Sequence, residues 1–305
     1  MNRGTPTSSS SLADDGPSIG IAPPRYRLPK DVRLGQVRLQ VSDLQRSIEY
    51  YEGTIGLRVR SRGEGTAVLA AFGDDTPLVE LQEERGAAAV PPQGRLGLYH
   101  FAILLPDRAA LGRFVAHLAE RGARAGASDH LVSEALYLRD PDGLGIEVYA
   151  DRPRSSWAAA GREILMDTAP LDLQAVMRAA GGEPWRGMPA GTRIGHVHLH
   201  VADLERAAGF YHAALGLDKI VWSYPGALFL SAGGYHHHLG VNTWAGPRAA
   251  QPGEGDARLL EWRMHLRAPE AAAASLREAG HAVSATDDGF LVADPWGTSL
   301  HLSRL

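Results

Sequence analysis

The chain has 305 residues, 44% of them hydrophobic, which suits two domains with buried cores. Its formal net charge is −4, so no basic surface for nucleic acid is indicated, and no run of 18 apolar residues is available to span a membrane. There is no cysteine, which excludes disulfides, thiolate metal sites and cysteine nucleophiles; a metal would have to be held by carboxylates and by some of the 13 histidines.

Residues 1–32 are rich in Ser, Pro and Gly and contain no apolar segment of the kind that a secretory signal needs. A segment of this composition buries too little apolar surface to order itself, so we expect a flexible N-terminal arm. Because no secretory signal is recognised, the cytoplasm is the expected location.

An internal repeat follows the arm. Residues 36–57 and 196–217 share one pattern at an offset of 160 residues. Each copy opens with the alternation typical of a strand. It continues with an Asp at a helix N-cap position (Asp43 or Asp203) and an amphipathic helix that ends at a Gly. Short strands are predicted after each helix.

Two further segments have the same order of elements with different helices, so the chain is predicted to contain four β-α-β-β-β modules. Their bounds are 33–83, 97–151, 194–244 and 260–305. The segment 152–193 breaks the pattern and is predicted to be a connector. We therefore expect one domain at 33–151 and a second at 194–305.

The second module ends in a hairpin with unusual polar residues. His130 precedes the incoming strand, which carries Tyr137, and Asp140-Pro141-Asp142-Gly143 encodes the turn. The outgoing strand carries Glu147 among Ile, Val and Tyr. A carboxylate is costly to bury unless a cation meets it. On the residues alone, Glu147 is either such a buried anion or a surface residue.

The order His, five residues, Leu-Tyr, two residues, Asp-Pro-x-Gly, three residues, Glu closely resembles the signature of extradiol ring-cleavage dioxygenases. That family belongs to the vicinal oxygen chelate superfamily, with glyoxalase I and the bleomycin-resistance proteins. The sequences GLYHFAILLPDR, GHVHLH and SAGGYHHHLGVNTWAG resemble its bacterial catechol-2,3-dioxygenase group. The resemblance implies an α+β fold in which the four βαβββ modules form two cup-shaped mixed β-sheet barrels with flanking helices.

In this superfamily, metal ligands come from the first and last strands of paired modules, which implies His100, Glu147 and His196 here. Two imidazoles and one carboxylate leave one side of an Fe(II) ion open, and Mn(II) is also possible. This set forms if the second and third modules pair, leaving the first to pair with the fourth. The first and fourth modules offer Gln36 and Arg263 at the corresponding positions instead of imidazoles, and Arg cannot ligate a cation.

The resemblance also implies residues that handle protons. A histidine within 236–238 would act as acid/base, with His237 favoured over His236 by the family's pattern. Tyr137 would hydrogen-bond a substrate oxygen, and His130 would support Tyr137.

These features predict an Fe(II)-dependent extradiol dioxygenase that adds both atoms of O₂ to a catechol-type diol. The expected partners are a small aromatic diol, O₂ and possible further copies of the chain, with no nucleic acid or membrane. Two alternatives stay open. Pairing of the first and second modules would assemble Gln36, Glu80, His100 and Glu147, the ligand set of a glyoxalase I-like lyase. A bleomycin-resistance-type protein would bind a planar ligand without catalysis.

Overall fold

The computed structural model describes residues 19–305 and contains the four predicted modules. Residues 1–18 of the predicted arm lie outside the described residues. The rest of the arm lies along the third module, where Ile21 exchanges two backbone hydrogen bonds with Lys219. Arg27 also donates two hydrogen bonds of 2.8 Å to the carboxylate of Asp218. Residues 19–32 are therefore held by specific contacts, which the composition of the arm did not predict.

Each module has one helix between its first and second strands. The first module consists of β1 (Arg33–Val41), α1 (Leu44–Tyr50), β2 (Arg58–Gly63), β3 (Thr66–Ala70) and β4 (Pro77–Glu83). The second consists of β5 (Gly97–Leu104), α2 (Arg108–Glu120), β6 (Gly126–Asp129), β7 (Ser133–Arg139) and β8 (Gly145–Asp151). The connector contains a 3-10 turn (Arg154–Ser156), β9 (Ala159–Ala160), β10 (Glu163–Ile164) and α3 (Leu173–Ala179).

The second half of the chain repeats this order. The third module consists of β11 (Arg193–His200), α4 (Leu204–Ala208), β12 (Asp218–Val221), β13 (Ala227–Ser231) and β14 (Leu239–Asn242). The fourth consists of β15 (Arg258–Leu266), α5 (Pro269–Glu278), β16 (Val283–Thr286), β17 (Gly289–Ala293) and β18 (Ser299–Arg304). Helices α1 and α4 each continue into one wider turn, at Tyr51–Ile55 and Gly209–Ala214.

The helix ends agree with the capping residues read from the sequence. The side chains of Asp43 and Asp203 accept hydrogen bonds from the backbone N–H groups of Arg46 and Arg206. Gly56 ends the first helical segment with φ 87°, a left-handed conformation that glycine adopts without strain. No helix among the described residues is long and apolar enough to cross a bilayer.

The strands form two mixed sheets of eight strands, in the orders β12-β13-β14-β11-β5-β8-β7-β6 and β16-β17-β18-β15-β1-β4-β3-β2. We call them the first cup, built by the second and third modules, and the second cup, built by the first and fourth. In each cup the first strands of the two modules pair antiparallel at the centre. The predicted fold class and module pairing are confirmed. The division into domains at 33–151 and 194–305 stays a prediction, and each cup takes one module from each side of the connector.

Alternation along the central strands separates the core from the cups. In β11, Val197 and Leu199 are fully buried in the apolar core, while His196 and His198 lie on the opposite face. This alternation places chemically active side chains inside the cup.

Tyrosine hydroxyls join the helical segments to the Asp-Pro-x-Gly turns. Tyr51 and Tyr211 are fully buried, and their hydroxyls donate hydrogen bonds to the carboxylates of Asp140 at 3.3 Å and Asp294 at 2.8 Å. Burial raises the pKa of Asp140 to about 7 and raises that of Asp294. The contacts link the first module to the second and the third to the fourth.

Replacing Tyr211 by Phe should lower the free energy of unfolding by about 1–2 kcal/mol, because a buried carboxyl loses a hydrogen-bond donor. Tyr50→Phe is the matched control, since the Tyr50 hydroxyl bonds no described residue. Urea unfolding of both variants measures the difference. Equal losses in the two variants would show that the hydroxyl bond contributes nothing specific.

Candidate metal centre

The three predicted ligand residues meet inside the first cup. His100 lies on β5, Glu147 on β8 and His196 on β11, and each is at most 5% exposed. Oε2 of Glu147 lies 3.0 Å from Nε2 of His100 and 3.1 Å from Nε2 of His196, and the two Nε2 atoms are 3.3 Å apart. Three neighbouring strands thus bring two imidazoles and one carboxylate to one point.

The spacing of these donor atoms fits a metal ion. An ion about 2.2 Å from three ligands at right angles would hold them about 3.1 Å apart, the arrangement of two histidines and a carboxylate on one face of an octahedron. Burial opposes ionisation of Glu147, but the two imidazoles outweigh it and hold the pKa of Glu147 well below its usual range. Burial lowers the pKa of His100, which favours the neutral form that a ligand needs.

Ring contacts support the His196 imidazole, whose Nε2 faces Glu147. Its Nδ1 is buried and has no hydrogen-bond partner among the described residues. The imidazole instead packs against His237, with ring centroids 4.0 Å apart, and against Tyr149 at 4.9 Å. The position of this ring therefore depends on its aromatic neighbours.

A pocket of about 210 Å³ opens beside His100 and Glu147. Its walls are largely aromatic and include Tyr99, His198, Tyr224, Phe229 and Trp244. Asn242 holds His198 through a hydrogen bond of 2.9 Å to Nε2. Walls of this kind suit a planar ring with a few polar groups.

Tyr137 and His130 lie side by side in the pocket wall. Nδ1 of His130 is 2.7 Å from the carbonyl oxygen of Asp167, so this nitrogen carries the proton. Nε2 of His130 then accepts from the Tyr137 hydroxyl at 2.5 Å. Burial and the nearby Glu147 raise the pKa of Tyr137 well above its usual value, so the hydroxyl stays protonated.

The histidines of 236–238 lie in a turn that precedes β14, so the alternation of a strand does not govern their directions. His237 lines the pocket, and His236 lies behind it, fully buried, with 2.7 Å between the two Nδ1 atoms. His238 faces elsewhere, with its Nδ1 2.8 Å from the hydroxyl of Ser231.

Asp151 is a site residue that the sequence analysis missed. Its Oδ1 lies 2.9 Å from Nε2 of His236 and accepts a hydrogen bond of 3.1 Å from the hydroxyl of Tyr235. Asp151 ends β8 four residues after Glu147, so both side chains point to the same face of the strand. That spacing was the available signal.

Comparisons with known proteins agree with this arrangement. The family model described as Glyoxalase/Bleomycin resistance protein/Dioxygenase superfamily matches residues 33–148, and a bleomycin resistance protein-like N-terminal model matches residues 193–220. A Bacillus subtilis (strain 168) protein named catechol-2,3-dioxygenase is 44% identical over 274 residues, which cover 87% of this chain and 95% of the relative. The chain belongs to the glyoxalase/bleomycin resistance protein/dioxygenase superfamily.

Solved structures of other proteins share this fold. A crystal structure of a Bacillus subtilis protein with a provisional dioxygenase name has a TM-score of 0.61 at 13% identity, covering 92% of this chain and 86% of that one. Glyoxalase I from Zea mays has a TM-score of 0.54 at 19% identity, covering 90% and 92%. Similarity at these identities concerns the fold alone.

In the second cup, an ion-pair network stands where the first cup has its candidate metal ligands. The Nε of Arg263 lies 3.0 Å from Glu261, and its Nη1 lies 3.0 Å from Asp288. Nε2 of His301 is also 3.0 Å from Asp288. Among residues 19–305, the one group suited to a metal is that of the first cup. In the second cup, Arg263 and His301 therefore supply the positive charge that Glu261 and Asp288 need.

The ligand set of a glyoxalase I-like lyase is not assembled. Gln36 and Glu80 lie in the second cup, where they bond each other at 2.9 Å, whereas His100 and Glu147 lie in the first. This alternative required the first and second modules to pair in one sheet, and the observed strand order differs.

Glu147→Gln should abolish stoichiometric binding of a divalent metal, because the amide loses the charge that binds the ion. Glu80→Gln is the matched control in the second cup and should keep full metal content. Metal analysis after anaerobic loading with Fe(II) or Mn(II) provides the measurement. Loss of metal from the Glu80 variant alone would contradict the assignment to the first cup.

Proposed function

We propose that this protein is an Fe(II)-dependent extradiol dioxygenase that cleaves the ring of a catechol-type aromatic diol with O₂. The observation that carries the proposal is the group of two imidazoles and one carboxylate, with donor atoms 3.0–3.3 Å apart, beside an aromatic pocket. The relative named catechol-2,3-dioxygenase, 44% identical over most of both chains, supports it. Mn(II) is compatible with the same ligands.

His100, Glu147 and His196 would hold the metal from one side. When bound, the metal would supply Lewis acidity that lowers the pKa of the diol hydroxyls and the redox chemistry that O₂ requires. The remaining residues of the pocket bind the ring and move protons.

The aromatic walls would bind the ring of the diol. A cavity of about 150 Å³ holds benzene in an engineered protein, so a pocket of about 210 Å³ suits one ring with two hydroxyls. Phe229 and Trp244 provide apolar surface, and His198 provides a polar atom near the metal ligands. A diol would therefore enter with its ring between apolar walls and its oxygens toward Glu147.

Tyr137 would orient one diol oxygen. Because its own proton is donated to His130, the phenolic oxygen presents lone pairs to the pocket. It can accept a hydrogen bond from a hydroxyl of the substrate. The hydrogen bond from Nδ1–H of His130 to the Asp167 carbonyl leaves Nε2 of His130 as an acceptor, so Tyr137 stays the donor of the bond between them.

His237 would act as the base. Asp151, as an acceptor, takes the Nε2–H of His236, which leaves Nδ1 of His236 to accept from Nδ1–H of His237. Nε2 of His237 then carries a lone pair, and it makes no hydrogen bond to a described residue. Burial and the neighbouring imidazoles hold the pKa of His237 well below its usual value, so the ring is neutral. It can take a proton from a diol hydroxyl within about 3 Å and return it to the product.

Oxygen uptake tests the proposed reaction. After anaerobic loading with Fe(II), addition of catechol or a substituted catechol should consume one O₂ per diol and form a yellow ring-fission product. Glu147→Gln treated in the same way should show neither change. Absence of uptake with any diol, from protein that holds its metal, would contradict the dioxygenase and favour a ligand-binding protein.

Asp151→Asn tests the role of the Asp151–His236–His237 chain. We expect kcat to fall about 100-fold, since an amide can donate to His236 and reverse the tautomers, with metal content unchanged. Asp151→Glu should recover part of kcat, and the pH profile of kcat should shift in the Asn variant.

Tyr235→Phe is the control for this test, because it removes the other hydrogen bond to Asp151 and leaves the histidine chain intact. An unchanged kcat in Asp151→Asn, or an equal loss in Tyr235→Phe, would show that Asp151 acts through packing alone.

A further inference from the structure

A second cavity, of about 510 Å³, lies beside the second cup. Its lining includes Arg38 of β1, Arg258 of β15, Leu98 and Trp296. None of its lining residues lines the pocket at the metal centre. Its size lies within the range of small-molecule sites.

The charges around this cavity are not balanced. Nε of Arg38 lies 3.3 Å from Glu80, and Arg95 forms an ion pair with Asp256. The side chain of Arg258 forms no ion pair or hydrogen bond with any residue of 19–305, although its charge helps to lower the pKa of Asp256, and its Nε is buried without a partner. A half-buried guanidinium with unmade hydrogen bonds is costly, so it favours an anion that completes them.

The nearest carboxylate in the lining does not supply that anion. Glu261 lies 3.0 Å from Nε of Arg263, to which it is already paired. Gln82 adds a second free donor, because its oxygen accepts from Arg38 while its Nε2 bonds no described residue. Two free donor groups therefore border the cavity without an acceptor.

About half of the exposed lining is apolar, and Leu98, Leu291 and Trp296 contribute to this part. Such a wall would bind a hydrocarbon body, and the planar fork of an arginine matches the two oxygens of a carboxylate. A guanidinium and apolar side chains that line the same cavity thus favour an organic acid over an inorganic anion.

The cavity is suited to binding and not to the chemistry of the first cup. By the internal repeat and the shared turn motif, Arg38 and Leu291 occupy the positions that His198 and Tyr137 hold at the metal centre. The metal position itself is occupied by Arg263 with its carboxylate partners. No histidine lines the cavity, and its carboxylate, Glu261, is already paired with Arg263.

We propose that this cavity is a second ligand site that binds a small organic carboxylate. Arg258 and Nε2 of Gln82 hold the carboxylate, and the body of the ligand packs against Leu98, Leu291 and Trp296. The site is independent of the metal centre and of the reaction there.

Isothermal titration of the metal-loaded protein with cyclohexanecarboxylate tests the proposal, with cyclohexanecarboxamide as the uncharged probe. The acid should bind with one site per chain and the amide at least tenfold more weakly. Arg258→Gln should weaken binding of the acid at least tenfold, because it removes a charge-assisted pair. Arg258→Lys, which keeps the charge without the fork, should give an intermediate loss.

Two controls assign the binding to this cavity. Arg124→Gln removes an exposed arginine that does not line it and should leave the affinity unchanged. Glu147→Gln alters the metal centre and should also leave the affinity unchanged. Binding that survives in Arg258→Gln but is lost in Glu147→Gln would place the acid at the metal centre and overturn the proposal. Equal binding of acid and amide, or no binding by the unaltered protein, would overturn it too.

Thermal unfolding separates loss of the site from loss of the fold. The side chain of Arg258 makes no direct ion pair or hydrogen bond, and Asp256 keeps its ion pair with Arg95, so the Arg258→Gln variant should unfold at nearly the same temperature as the unaltered protein. Cyclohexanecarboxylate should raise the unfolding temperature of the unaltered protein and not that of the variant. A rise of equal size in both would also contradict the assignment.

Discussion

The buried carboxylate of Glu147 is the constraint on which the first cup depends. It lies on the strand beside the central pair with an apolar core behind it, and its neighbours inside the cup are two imidazoles and Tyr137. An anion in such a place needs a cation, and no Lys or Arg among the described residues pairs with it. The geometry of the donors and the charge of the site therefore both suit a metal ion. Binding of a metal there would also stabilise this cup.

In the second cup, the positive charge that the carboxylates need comes from a side chain. Arg263 stands at the position that corresponds to His100, and its guanidinium meets Glu261 and Asp288 directly. The same backbone arrangement thus carries a group of side chains suited to a metal in one cup and an ion-pair network in the other. This contrast shows why the fold alone does not establish the function, which depends on a few side chains at the centre of each sheet.

The sequence predicted features that depend on local signals or on complete sets of residues. Strand alternation, capping residues such as Asp43 and the repeat defined the modules, and the pairing of modules was predicted from the set of two histidines and one carboxylate, with the glyoxalase I-like set left as an alternative. Asp151 was missed because its partner His236 is 85 residues away and is brought near only by folding. The contact of Arg27 with Asp218, 191 residues apart, was missed for the same reason. The directions of the histidines at 236–238 were not predictable from alternation, since they lie in a turn.

The two kinds of contact between modules close a ring. Tyrosine–aspartate bonds join the first module to the second and the third to the fourth, while the sheets join the second to the third and the fourth to the first. A two-fold dimer of a half-length chain would have this same ring, with each metal site shared between two identical subunits. In such a dimer every substitution appears in both cups. Joining the halves in one chain removes that symmetry. One cup can then keep its imidazoles while the other carries a guanidinium and binds a different ligand.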